Sequence, residues 1–221
     1  MKQTLKRIIR NVKSINGNSL AEFATTTALM ATLAATAAPK LSEMSEGTKA
    51  EKSMNEIDKI LTQARNHYQT TADEEGRGRF PGQEKYNVQV GGYALESDLL
   101  DDLDKDNGGI VSFDDGDLSN WCSVFGISNA AAKRPANCAV VDDVVRTTDI
   151  NSNTIDNGKT YLGHNEWLDL FAGNTLTSKY QDGHFAYAVI AGDLTGSESY
   201  PPVLYVIDVE NASNFNNVIE P

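Results

Sequence analysis

Apolar and polar positions follow three patterns along the chain. From Asn18 to Ala38 the sequence NSLAEFATTTALMATLAATAA gives 21 residues without Lys, Arg, Asp or Pro and with a single carboxylate, Glu22. At 1.5 Å per residue a helix of this length spans about 31 Å, enough to cross the hydrocarbon core of a bilayer. Alanine and threonine carry much of the apolarity, and such small residues let helices approach closely. After Pro39 the apolar residues Leu41, Met44, Ala50, Met54, Ile57, Leu61, Ala64 and Tyr68 recur mostly in steps of three or four, or their multiples. Lys49, Glu51, Lys52, Glu56, Asp58, Lys59 and Arg65 fill much of the remaining surface. This second pattern predicts an amphipathic helix whose stripe packs under a sheet, with Gly47 as its weak point. The stripe is lost in TTADEEGRG, so one long helix over 18–75 is expected to stop within 70–78, before a turn at GRFPG, Gly78 to Gly82.

The third pattern, over 76–221, consists of short elements between polar turns. Tyr93 to Leu100 predicts a short helix and Ala139 to Thr147 a strand. HNEWLDLFAG, His164 to Gly173, predicts an amphipathic helix with Trp167, Leu168 and Phe171 on one side. His184 to Ala191 and Val203 to Val209 read as an antiparallel strand pair joined by the Gly-, Ser- and Pro-rich loop from Gly192 to Pro202. The expected fold class is therefore α+β, a long N-terminal helix packed on a small antiparallel-sheet head.

Charge divides the chain sharply. Its 221 residues, 40% hydrophobic and 23% charged, carry a formal net charge of -12. Yet Lys2, Lys6, Arg7, Arg10 and Lys13 make residues 1–17 purely basic, and the rest holds 14 basic against 31 acidic residues. A basic flank before the apolar run orients it with the leader inside and the C-terminus outside. An acidic body repels phosphates, so no nucleic-acid partner is expected. In an exported protein the two cysteines, Cys122 and Cys138, read as one disulfide, the alternative being two unpaired buried thiols. Closing that loop would stabilise the head by about 3 kcal/mol on the chain-entropy model.

An ordinary signal peptide would end in a small-residue cleavage site, which Ala34 to Ala38 imitates. Glu22 competes with that reading, because a carboxylate within a membrane segment is costly and calls for a partner. Gly17 followed by Asn18, Ser19, Leu20, Ala21 and Glu22 resembles the class III signal of type IV pilins and pseudopilins. In that family a prepilin peptidase cuts after a glycine, and a glutamate lies fifth in the mature chain. A cut between Gly17 and Asn18 makes Glu22 the fifth residue and Pro39 the twenty-second, where many members carry a helix-bending proline. The resemblance covers the first forty residues and departs from the family at Asn18, more often Phe or Met, and in the richness of Thr.

The resemblance implies a cleaved leader over 1–17, a membrane span and later filament core over 18–38, and an extracellular head over 76–221. It implies that Glu22 of one subunit neutralises the terminal amine of Asn18 on its neighbour, an amine the family usually methylates. The membrane, the prepilin peptidase and the inner-membrane assembly machinery become partners of the precursor, and copies of the chain become partners in a helical homopolymer. The alternative for Glu22 is an interfacial glutamate in a plain anchor.

Among the remaining residues, Asp102, Asp104 and Asp106 alternate so that their carboxylates can converge on a hard cation, and Asn107-Gly108-Gly109 permits the tight turn. The segment resembles the start of an EF-hand loop, with the glycine one residue late and Asp114 or Asp115 in place of the closing glutamate. Calcium on Asp102, Asp104, Asp106 and Asp114 is one reading, and a solvated acidic turn the other. Asp149-Ile150-Asn151-Ser152-Asn153 with Asp156 repeats the pattern more weakly. His67, His164 and His184 fall in separate elements without metal-ligand spacing, and neither a GxSxG context nor a glycine-rich phosphate loop occurs, so no enzyme is expected. The expected function is a structural subunit of a type IV pilus-like filament. A type II secretion pseudopilin and a membrane-anchored calcium-binding domain are the alternatives.

Overall fold

A computed structural model describes residues 2–104, 120–126, 163–180, 184–193 and 199–221, with 2–18 described as backbone only. The chain divides into two compact units, Met1–Thr48 and Lys49–Pro221. Helix α1 (Lys2–Glu75) belongs to both and continues through Pro39. Its C-terminal boundary falls where the apolar stripe disappears, and Gly76 follows with φ of 83°, the left-handed backbone that commonly closes a helix. At the other end the helix begins at Lys2, upstream of residue 18, and includes the basic segment.

In the Lys49–Pro221 unit, Ile57, Ile60, Leu61 and Ala64 of α1 are buried, at the spacing of one helix face. They meet a four-stranded antiparallel sheet of β1 (Cys122–Ser123), β2 (Phe185–Ile190), β3 (Val203–Asp208) and β4 (Asn216–Ile219), adjacent in chain order. Alternation along the central strands sorts side chains between two cores. Phe185, Tyr187 and Val189 of β2 and Leu204 and Val206 of β3 join the α1 face, together with Phe80, Phe125 and Trp167. Ala186, Ala188, Ile190, Tyr205 and Ile207 pack on the other face with Tyr93, Leu99 and Trp121. With both faces covered, β2 and β3 read as nearly unbroken apolar runs instead of alternating ones.

The two short helices each cover one face. Helix α2 (Glu96–Leu103) buries Leu99, and the Tyr205 hydroxyl donates to Glu96 while the Tyr93 hydroxyl donates to Asp102 at 2.6 Å. Burial, reinforced by these carboxylates, raises the pKa of both phenols. The helix starts three residues later than expected because Tyr93 is consumed by the core, edge-on to Trp121 at 5.5 Å, and Leu95 remains extended. Helix α3 (Gly163–Leu170) buries Trp167 in the α1-side core, with Leu168 and Phe171 packed against it. It is clamped by Arg79, which donates to Glu166 at 2.9 Å and to the Gln83 carbonyl at 3.1 Å. Glu166 also accepts the Gly82 N–H. His67 of α1 lies beside this clamp, and burial lowers its pKa.

Strands β1 and β4 were not expected. The former is two residues long, and the latter begins with two asparagines, which disfavour strands. The strand expected over Ala139 to Thr147 lies outside the described residues.

Replacing Ile60, which is fully buried, with alanine is expected to lower the unfolding free energy of the Lys49–Pro221 unit by about 2–5 kcal/mol. Leu33→Ala, at an exposed position of the same helix, is expected to change it by less than about 0.5 kcal/mol. Denaturant midpoints of the two variants check this, and equal midpoints would contradict the assigned packing.

Candidate functional site

Every residue from Ser19 to Thr48 is exposed, including the large apolar side chains of Leu20, Phe23, Leu29, Met30, Leu33, Leu41 and Met44. Exposure among them runs from 62% for Leu29 to 75% for Leu20, so nothing among the described residues covers them. Among the described residues, one stretch, within the part of α1 from Ser19 to Glu75, is long and apolar enough to cross a membrane by length and composition.

Helical spacing sorts this segment into two faces. Ala21, Ala24, Thr25, Ala28, Ala31, Thr32, Ala35 and Thr36 follow steps of three, one, three, three, one, three and one, forming a continuous stripe of small side chains. The large side chains Phe23, Met30, Leu33, Leu41 and Met44 lie on the opposite side. Glu22 stands at the border, aligned with Thr26, Leu29 and Leu33 at four, seven and eleven residues beyond it.

The threonines are less polar in this setting than their composition suggests. Thr25 donates to the carbonyls of Ala21 and Glu22, Thr26 to Glu22 and Phe23, and Thr27 to Phe23, at 2.7–3.1 Å. Thr32 donates to Leu29, and Thr36 to Thr32 and Leu33, at 2.9–3.1 Å. Each hydroxyl proton is therefore satisfied inside its own helix, and the side chain can present its methyl group to an apolar neighbour. Glu22 remains the one ionisable side chain between Ser19 and Ala38.

Gly17 and Asn18 lie within α1, as does Pro39. The residues expected to hold a cation are divided. Asp102 is in the last turn of α2 and accepts the Tyr93 hydroxyl, Asp104 follows as the helix cap, and Asp106 and Asp114 lie outside the described residues. Among the described residues, no three His, Cys, Asp or Glu side chains converge as a metal site would require. Cys122 is buried in β1, whereas Cys138 and the second acidic turn at Asp149 to Asp156 lie outside the described residues.

Two buried polar groups were invisible in the sequence. Asp208, at the end of β3, accepts from Ser53 of α1 at 3.1 Å and from Ser178 at 2.7 Å, and all three side chains are almost fully buried. Burial pushes its pKa above the usual aspartate value, partly opposed by the two hydroxyls and by the Glu210 and His184 N–H groups. His184, before β2, is hydrogen-bonded through Nε2 to the Ser123 hydroxyl of β1, also out of contact with solvent. Serine at positions 53 and 178 gives no periodic signal, so only the folded chain brings these groups together.

Comparison with protein-family models, with curated proteins and with solved structures found no match.

Because the folded-state pKa of Asp208 exceeds its unfolded value, the folded chain takes up this proton first on acidification. Its stabilising contribution is full below the unfolded aspartate pKa and is lost as pH rises through the folded one. Melting temperatures of the wild type and Asp208→Asn are expected to change in the wild type's favour as pH falls from neutral through that window. A pH-independent difference would contradict the assignment.

Proposed function

We propose that this chain is the subunit of a type IV pilus-like extracellular filament. It is inserted as a membrane-spanning precursor, cut between Gly17 and Asn18, and polymerised through residues 18–38. The observation that carries the reading is the exposed length of α1 from Ser19 to Thr48, which as far as Ala38 is apolar apart from Glu22, in a helix whose later turns build the core of a sheet unit. Such a surface needs lipid before assembly and copies of itself afterward, and the two faces suit both. The small stripe allows close helix approach, and the large side chains fill the gaps between neighbours.

Glu22 supplies the register. Buried without a cation its carboxylate would be costly, and the cut supplies one by freeing the α-amino group of Asn18. A neighbour staggered by about one helical turn brings that ammonium to the carboxylate, so one stagger is favoured over others. Local helix strength favours opening at the same bond, because Asn16, Gly17, Asn18 and Ser19 are all weak helix formers. A peptidase can then obtain an extended substrate at modest cost.

Mass spectrometry of the protein from its native membrane or filament is expected to give an N-terminus at Asn18. A mature chain beginning at Met1 or beyond Ala38 would overturn the proposal. Glu22→Gln is expected to leave cleavage intact while reducing the subunit in sheared surface filaments by at least about tenfold. Undiminished incorporation would remove the proposed role of the carboxylate. Abundance in the sheared fraction also separates a pilus subunit from a secretion pseudopilin.

A further inference from the structure

We infer that the groove between the C-terminal end of α1 and the 199–202 segment is a saccharide-binding site that favours an acidic sugar unit. The groove has a volume of about 320 Å³ and lies entirely within the Lys49–Pro221 unit. Its walls include Tyr68, Tyr86 and Tyr200, with Arg77, Pro201 and Pro202 between them. Three aromatic rings from three separate chain segments thus surround one opening.

Each ring is held by its own constraint. Tyr68 lies against Gly78, where any β-carbon would come within 2.3 Å of the ring, and it also packs on Phe80 at 5.2 Å. The loop bearing Tyr86 is fixed by its carbonyl, which accepts the Gly192 N–H at 2.8 Å. Tyr200 is fixed by a reciprocal backbone pair with Asp193, at 2.8 and 3.0 Å. The backbone that carries Tyr86 and Tyr200 is therefore held before any ligand arrives, which limits the ordering cost of binding.

Arg77 supplies the selectivity. Its guanidinium lies 4.8 Å from the centroid of the Tyr86 ring. Among the described residues it joins no ion pair, whereas Arg79, two positions on, is committed to Glu75 and Glu166. With no described residue in an ion pair with it, the guanidinium has N–H groups for a planar anion, and the ring holds it in place. A pyranose combines C–H faces with a rim of hydroxyls, and the lining of this groove brings three tyrosines together with Ser199 and an arginine. A carboxylate on that sugar completes the match through a charge-assisted pair with Arg77. A proline-rich peptide would use the rings and leave Arg77 without an anion.

The test titrates the full-length protein in detergent with tri-galacturonate and, separately, with neutral maltotriose, by calorimetry. Saturable binding of tri-galacturonate is expected, tighter than that of maltotriose. Arg77→Ala is expected to weaken the acidic sugar by about tenfold and leave the neutral one unchanged, and Tyr200→Ala to weaken both by about tenfold. Both positions are exposed, Tyr200 at 56%, so the unfolding midpoint should stay constant and a loss of affinity would report the groove. No saturable heat from either sugar would overturn the inference. Equal affinities in the wild type and both variants, or binding of an octaproline peptide in place of the sugars, would do the same.

Discussion

An apolar side chain leaves water only where another surface lies over it, and α1 meets that condition along part of its length. Over Ile57 to Ala64 its stripe is covered by β2, β3 and the Trp167 ring. Over Leu20 to Met44 nothing among the described residues covers it. The stretches differ in kind as well as in covering. The later one has a conventional amphipathic pattern, with charges on the remaining faces. The earlier one, as far as Ala38, has no charged face to leave in water, and one carboxylate at the border of two apolar faces. A helix built this way leaves its apolar surface exposed among the described residues, and the proposed function rests on that exposure.

The Lys49–Pro221 unit gains its own stability from a small sheet buried on both faces. Alternation in Phe185 to Ile190 places large side chains toward α1 and mainly small ones toward α2 and Trp121, so a long helix fits on one side and a short helix with a bulky indole on the other. The polar groups enclosed by this arrangement are kept in hydrogen bonds. Asp208 connects α1 to the end of β3 through Ser53, and Arg79 connects the turn after α1 to α3 through Glu166. Within the Lys49–Pro221 unit these bonds fix the C-terminal part of α1 against the sheet and α3 more specifically than apolar contact would.

Much of this was legible in the sequence wherever a long periodic signal existed. The end of α1 followed from loss of the stripe and the arrival of glycine, and the pairing of β2 with β3 followed from two apolar runs flanking a turn-rich loop. Shorter elements were harder because their identity is decided by distant partners. The chain at Tyr93 had helical periodicity but went to the core beside Trp121, and Asn216 to Ile219 became a strand because β3 offered an edge. Of the candidate residues, Glu22 was legible as the lone charge in an apolar run. Asp208 was hidden because its serine partners are 155 and 30 positions away in sequence.

The threonine hydroxyls of α1 bear on how such a helix could be recycled. Moving a polar group between media normally requires it to exchange one set of hydrogen-bond partners for another, and that exchange raises the barrier to transfer. Here the donors are bound to carbonyls one turn back in the same helix, so they require no partner from the surroundings. Under the function proposed above, a subunit would leave a bilayer and enter a bundle with little change in its own polar contacts, so that transfer in either direction would be governed mainly by packing and by a single charge.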